Sequence, residues 1–223
     1  MGMKKSVARE YLESIVVAVI LAMFARTFVV QAFKIPSGSM EKNLLIGDHI
    51  LVNKWAYAPT LWSWEPALLP IKTLQHGDVI VFKYPEDPER DFIKRAIGLP
   101  GDRIEVRRRQ VLRNGELVVE PYKFHLGGIF GALNSRSFGP EILPPGAVFA
   151  LGDNRDNSKD SRWWGYVPVD YLKGQAWLIY WSYESKREDY EATGLVQEIR
   201  RLVSVGLHFF TRTRWTRTFN MIR

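Results

Sequence analysis

Cysteine is absent from the 223 residues. That excludes disulfides, thiolate metal ligands and a cysteine nucleophile, but not any compartment, because an exported protein can fold without disulfides. Histidine is scarce: His49, His76, His125 and His208 are the four. None stands among other candidate catalytic residues, and His49 and His76 adjoin Gly-Asp turns, where an exposed turn histidine is the expected reading. A Ser-His-Asp triad therefore has little to build on, and a Gly-x-Ser-x-Gly elbow is missing as well. Beyond the N-terminus the chain lacks long apolar runs, internal repeats and low-complexity tracts. Its 46% apolar and 25% charged residues describe a globular bulk rather than a disordered one, and its length suits one compact domain with room for a small insert. Acidic residues are in the minority, 24 against 31 Lys and Arg, for a net charge of +7. Such a balance favours an anionic partner, nucleic acid or anionic lipid.

The one long apolar run points to lipid. Lys4, Lys5 and Arg9 precede it, and it extends from Leu12 to Phe33. Roughly 22 helical residues at about 1.5 Å each reach about 33 Å, enough to cross a bilayer core. Ile15–Ala25 is uninterrupted, whereas Arg26, Thr27 and Gln31 break the second half, Arg26 at a position from which it can snorkel. A cleaved signal peptide begins the same way. Against it, Arg26-Thr27-Phe28 is a poor small-residue cleavage site and apolar character resumes at Phe28. The reading is a cytoplasmic segment 1–11, an uncleaved single-pass anchor 12–33, and the rest of the chain on the outer side by the positive-inside rule.

After the anchor the texture changes to short strands and turns. "GDHILVNKWAY" and "GDVIVFKY" open on Gly-Asp and continue apolar and β-branched; "DFIKRAIGLPGD" reads as a strand ending in a Pro-Gly turn; "AVFALGDN" and "QAWLIYWSY" are further strands. Asn114-Gly115 between two alternating runs is a strong hairpin signal. Sustained helical periodicity is missing between Ile35 and Tyr183. The expected fold is mostly β: an antiparallel β-sheet catalytic core over 34–190, with a small inserted β domain at about 102–145. Over 191–223, Leu195, Ile199, Leu202, Val203, Leu207 and Phe210 share a helical face, and Arg212, Arg214, Arg217 and Arg223 follow. This segment reads either as a helix packed on its own domain or as a basic amphipathic helix lying on lipid. With RNA-binding signatures missing, nucleic acid is set aside as a partner.

Three stretches carry chemistry-bearing residues. "IPSGSM", Ile35–Met40, is a turn by composition. With histidine and cysteine set aside, a base for either of its serines has to be a lysine, and a lysine serves only where burial strips its proton near neutral pH. Lys94 lies in an apolar strand, and alternation sends Lys94 and Arg95 to opposite faces; taken alone, it reads equally as an edge-strand surface lysine. "GDNRDNSKDSRWWG" is a polar turn-rich loop. As a calcium loop starting at Asp156 it fails, having Ser161 at the glycine position and Val167 at the final glutamate position. No metal and no cofactor is expected.

Together "IPSGSM", "LLIGDHILVNKWAY", "GDVIVFKYPEDPERDFIKRAIGLPGD" and "GDNRDNSKDSRWWG", in that order after an apolar segment, resemble the bacterial type I signal peptidases, membrane-bound Ser-Lys serine proteases that remove signal peptides from exported preproteins. The resemblance implies that Ser39 is the nucleophile and Lys94 the general base. It implies that Ser37 helps stabilise the oxyanion, that Ser158 orients the lysine amine by a hydrogen bond, and that Asp160 and Arg162 brace the site. Ile35, Pro36, Met40, Leu44, Val81, Phe92 and Ile93 match positions lining shallow apolar pockets for small residues at −3 and −1 of the signal peptide. The partners implied are signal peptides of secretory preproteins and membrane lipids, and the location is the bacterial inner membrane with the catalytic domain outside. Trp55, Trp62, Trp64, Trp177 and Trp181 are expected at the headgroup level or, for the strand pair Trp177 and Trp181, equally in the core. Where many members read Met-x-Pro-Thr-Leu, this chain reads Met40-Glu41-Lys42-Asn43-Leu44, a change expected to loosen the turn behind the nucleophile or to alter contacts beside the cleavage site. A Ser-Lys protease of another kind, such as a self-cleaving regulator, and a catalytically silent binding module of the same fold are the alternatives.

Overall fold

The computed structural model describes residues 7–57, 71–107, 109–125, 136–185, 188 and 194–222. Helix α1, Val7–Phe24, widens into a π-turn over Ala25–Val29. The apolar span Arg9–Val29 covers 21 residues at a mean hydropathy of 2.0, and none of it is buried; at about 1.5 Å per residue it measures about 31 Å, the thickness of a bilayer core. Leu12, Ile15, Val16, Val19, Ile20 and Phe24 all stand exposed around it. A helix apolar on every side calls for an apolar surround rather than a protein neighbour.

The helix ends before Phe33. Val30–Lys34 forms strand β1, antiparallel to β2 (Asp48–Asn53), with Val30 opposite Asn53 and Lys34 opposite His49. The expected anchor was thus four residues too long. Apolar content cannot separate a helix from a strand here; the hydrogen bonds that β2 offers decide it.

The remaining strands are β3 (Val79–Tyr84), β4 (Asp87–Gly98), β5 (Arg103–Arg107), β6 (Gln110–Arg113), β7 (Glu116–Leu117), β8 (Phe138–Ile142), β9 (Ala147–Leu151), β10 (Val167–Pro168), β11 (Leu172–Ser182) and β12 (Asn220–Met221). One sheet runs β1-β2-β11-β3-β4-β9-β10, with β12 also beside β11; a second runs β7-β6-β5-β8. Among the described residues every pairing between these strands is antiparallel, as the turn-rich sequence predicts. Asn114 and Gly115 take φ of 55° and 89° between β6 and β7, the left-handed pair that a two-residue hairpin demands. Gly174 sits where β11 shifts register, at φ +146°, and a Cβ there would stand 2.1 Å from Asn53 O. Glycine alone lets β11 pass this close to β2.

Three apolar clusters fill the interior. The one that matters for the site joins Met40 and Leu44 to Ile50, Val52, Val79, Val81 and Ile179. Burying Met40 and Leu44 contributes roughly 1.5–3 kcal/mol each and pins the turn that precedes them. Of the tryptophans, Trp177 is 45% exposed. Trp181 is half-buried against His49 and Phe209, Trp55 is half-buried, and Trp62 and Trp64 lie outside the described residues. His49 is correspondingly half-buried within β2, not an exposed turn residue. Burial, reinforced by the Lys34 and Arg201 charges and opposed by Asp48, lowers its pKa to about 4.

Candidate active site

The "IPSGSM" stretch leaves β1 extended, turns through a single 3-10 turn at Gly38–Met40, and buries Ser39. The turn is held from two sides. Met40 and Leu44 enter the core beneath it. Above it, Asn154 donates its backbone N–H to Ser39 O and its amide Nδ2 to Gly38 O, both at 3.1 Å. Lys94 stands in mid-β4, opposite Ile80 of β3, and is 4% exposed. Its Nζ donates to Ser39 Oγ at 2.8 Å and to Ile93 O at 2.9 Å. Burial drives its pKa from 10.5 down to about 8, against the Asp160 and Asp153 carboxylates, which raise it.

Arg95 engages a different set of groups, as alternation requires. Its Nε and Nη2 donate to Asp153 at 2.8 and 2.6 Å, and Nη1 donates to Gly77 O. Asp160 and Arg162 form a second buried bidentate pair, both bonds at 2.8 Å. Asp160 also accepts from Gly152 N, and Arg162 donates to Arg155 O. These charge-assisted bonds fix the loop 152–162 against the strands. A Cβ on Gly152 would meet Ser158 Oγ at 2.2 Å and Ser39 O at 2.6 Å, so the two segments approach this closely only because the residue is glycine. Gly152→Ala is expected to cost about 1–3 kcal/mol by overpacking, read by denaturant unfolding; an unchanged midpoint would mean that Ser39 moves aside freely.

A cleft of about 890 Å³ opens beside Ser39 and Lys94, bordered by Pro36, Ser37, Phe92, Ile93, Ser158 and Trp163. Three sequence expectations need correction. Ser158 lines the cleft, but its Oγ is buried without a hydrogen-bond partner among the described residues; the amine donates to Ser39 and Ile93 instead, and the expected bond from Ser158 to it is not formed. Of the residues expected to line the pockets, Pro36, Phe92 and Ile93 border the cleft, while Ile35, Met40, Leu44 and Val81 lie in the core cluster behind it. All four are buried there, and Ile93, which borders the cleft, packs against the same cluster. Nor is the turn loosened by the missing proline and threonine. Asn43 Nδ2 donates to Asp153 Oδ2 at 2.7 Å and to Tyr122 O at 3.1 Å, Lys42 lies over the Phe124 ring, and Glu41 accepts from Asn154.

One support was not foreseen. Asp48, with no exposed surface, accepts from Leu45 N, Ser182 Oγ and Arg217 Nη2. Arg217 also donates to Asn43 O, and Arg214 to Ile46 O. The C-terminal segment thus clamps the loop that follows Ser39. Local sequence carries no sign of it, because the partners are 169 residues apart. Arg217→Ala is expected to lower stability by about 1.5–3 kcal/mol, the worth of a hydrogen bond to a charged group; calorimetry showing no change would mean that Arg214 suffices.

A sequence profile of the family described as signal peptidase, peptidase S26, matches residues 8–181. Signal peptidase I of Pseudomonas aeruginosa is 35% identical over 212 residues, covering 81% of this chain and 75% of that protein. Signal peptidase I of Aquifex aeolicus is 31% identical over 228 residues, covering 78% and 84%. A crystal structure of a signal peptidase I from Enterococcus faecalis, 30% identical, covers 47% of this chain and 97% of its own at a TM-score of 0.39.

Proposed function

Because this chain belongs to the signal peptidase family of S26 peptidases and is a serine endopeptidase that removes signal peptides, we propose that Ser39 is its nucleophile and Lys94 its general base, cutting after small residues at −3 and −1. The observation that carries this reading is the 2.8 Å contact between Lys94 Nζ and Ser39 Oγ beside an open cleft. In the charged amine the contact runs from nitrogen to oxygen. In the neutral amine it reverses, and the nitrogen lone pair takes the serine proton as Oγ bonds to the scissile carbonyl carbon. The tetrahedral oxyanion is met by donors at the turn, the Ser37 hydroxyl among them. The ammonium formed on Lys94 then protonates the departing amide nitrogen, and the mature chain leaves. A water, deprotonated by the same amine, attacks the ester on Ser39 and releases the signal peptide. Asp160, Arg162, Arg95 and Asp153 hold the loop 152–162 against the strand that carries Lys94.

The cleft's form supports the specificity. It runs between the extended segment at Pro36–Ser37 and the part of β4 from Arg90 to Lys94, where among the described residues β4 pairs only with β3. An extended peptide can add along this edge with alternate side chains facing the apolar wall of Phe92 and Ile93. The exposed α1 serves as the anchor in the bacterial inner membrane, with its basic N-terminus inside and the catalytic body outside, at the face where signal peptides emerge.

The test uses the full chain in detergent with a preprotein bearing alanine at −3 and −1. Mass spectrometry should find a single new N-terminus after the −1 alanine, and a bulky residue at −1 should abolish it. Cuts scattered through unfolded protein, or cleavage indifferent to the −1 residue, would overturn the proposal.

A further inference from the structure

The C-terminal helix Leu195–Leu207 is turned the wrong way for a helix of a soluble domain. Ile199, Leu202, Val203 and Leu207, with Phe210 beyond, form one stripe at spacings of three and four, and the stripe faces outward: Leu202 is 65%, Leu207 77% and Phe210 80% exposed. The side toward the protein is the polar one, where Ser204 O accepts from Tyr183 Oη. A helix packed on its own domain would do the reverse, so the first of the two sequence readings fails. Trp215 and Phe219 extend the bare surface. Between helix and sheet lies a pocket of about 470 Å³ with Lys34, Arg200, Arg201 and Arg212 in its wall, against the carboxylates of Glu184 and Glu188.

We propose that this pocket and stripe form a binding site for an anionic phospholipid of the bilayer that α1 crosses: the cations hold the headgroup phosphate, and the stripe lies among the acyl chains. Position argues for lipid rather than protein. Lys34 follows Val29, the end of the apolar span, by five residues, so the pocket wall lies within about 17 Å of the end of that span. Charge argues the same way. Four cations stand against Glu184 and Glu188 in the wall and Glu198, which pairs with Arg201 at 2.8 Å; the positive balance attracts an anionic surface and repels a second copy of a chain of net charge +7. The site would hold the C-terminal segment down at the membrane surface, and with it the Arg217–Asn43 clamp behind the nucleophile.

This inference rests on α1 being the membrane anchor, and the experiment separates the two. The chain has no cysteine, so single nitroxides can be placed by Val203→Cys on the stripe, Ile20→Cys in α1 and Glu116→Cys on the exposed β7. The full chain is reconstituted in phosphatidylcholine nanodiscs with and without phosphatidylglycerol, and collisions with oxygen and with a water-soluble nickel chelate are compared. The position 203 label should favour oxygen when phosphatidylglycerol is present, and lose that preference when Arg200→Glu and Arg212→Glu are added. The position 116 label should stay in water. A position 203 label open to nickel in anionic nanodiscs, or shielded from both agents as by a second copy, overturns the inference while the position 20 label in lipid keeps the anchor. A position 20 label in water overturns the anchor itself.

Discussion

Replacing Lys94 with methionine is expected to abolish cleavage and yet make the protein more stable. Activity should fall at least about 10³-fold, as on losing a general base that also returns its proton to the leaving group; Ser39→Ala should do the same. The stability gain follows from burial. Lys94 binds its proton at about 8 in the folded protein and at 10.5 when exposed. Below about pH 8 the folded chain holds a buried charge that the unfolded chain would keep in water, a difference worth about 3 kcal/mol. As pH rises, folded Lys94 gives up its proton first, the penalty shrinks, and above about pH 10.5 it vanishes. Stability conferred by the methionine should therefore be largest near pH 7 and smallest near pH 10–11, in thermal unfolding scans in detergent. The wild-type rate should show the complementary profile. In the proposed mechanism the neutral amine is the active form, so kcat/KM should rise tenfold per unit below an apparent pKa of about 8 and level off above it. A flat profile across this range, or a folded Lys94→Met variant that still cleaves, removes lysine from the mechanism. Asp160 and Asp153 raise this pKa, so Asp160→Asn should move the acid limb to lower pH, a shift that loss of mere structural support would not produce.

The largest destabilisation is expected from separating Arg95 and Asp153. The two side chains are 1% and 0% exposed, joined by two hydrogen bonds, and the guanidinium stacks on the Tyr122 ring at 4.0 Å. Arg95→Met leaves the carboxylate in the interior with only Asn43 Nδ2 to answer it among the described residues. Breaking one partner of such a pair costs about 3–5 kcal/mol, mostly the penalty of the stranded charge. Arg95→Lys should recover little, because an ammonium cannot reproduce the two-pronged bond. The double change Arg95→Met with Asp153→Leu should be much milder than the sum of its parts, because no charge is then stranded. Additive losses in denaturant melts would show that the pair's electrostatics contribute little and that the site is held by packing alone.

How much of this was legible in the chain varies with the range of the interaction. Strand β4, the Asn114-Gly115 hairpin and the opposed faces of Lys94 and Arg95 follow from local rules of alternation and turn chemistry, and the structure keeps them. The anchor's end does not follow, because Val30–Phe33 is apolar enough for either helix or strand, and only β2, at the far side of the "IPSGSM" turn, makes it a strand. Ile35, Met40, Leu44 and Val81 carry apolar character suited to a pocket wall or a core alike. Val81 lies in β3 and the other three in the turn segment after β1, and the packing of that segment on the sheet buries all four. Asn43 gives no local sign of its role, because its partner Asp153 is 110 residues away along the chain.

By itself, then, the sequence determined which chemistry was available. With cysteine absent and histidine scattered, lysine was the base left for a serine, and the resemblance of four ordered segments singled out Ser39 and Lys94, on a turn and a strand that local rules could place. Tertiary structure alone decided that they meet at 2.8 Å, that the amine is dry enough to lose its proton near pH 8, and that Arg217 reaches back to Asp48. The physical reason is the same in each case. Desolvation and charge pairing depend on what surrounds a group in space, and those surroundings come from strands and loops far away along the chain.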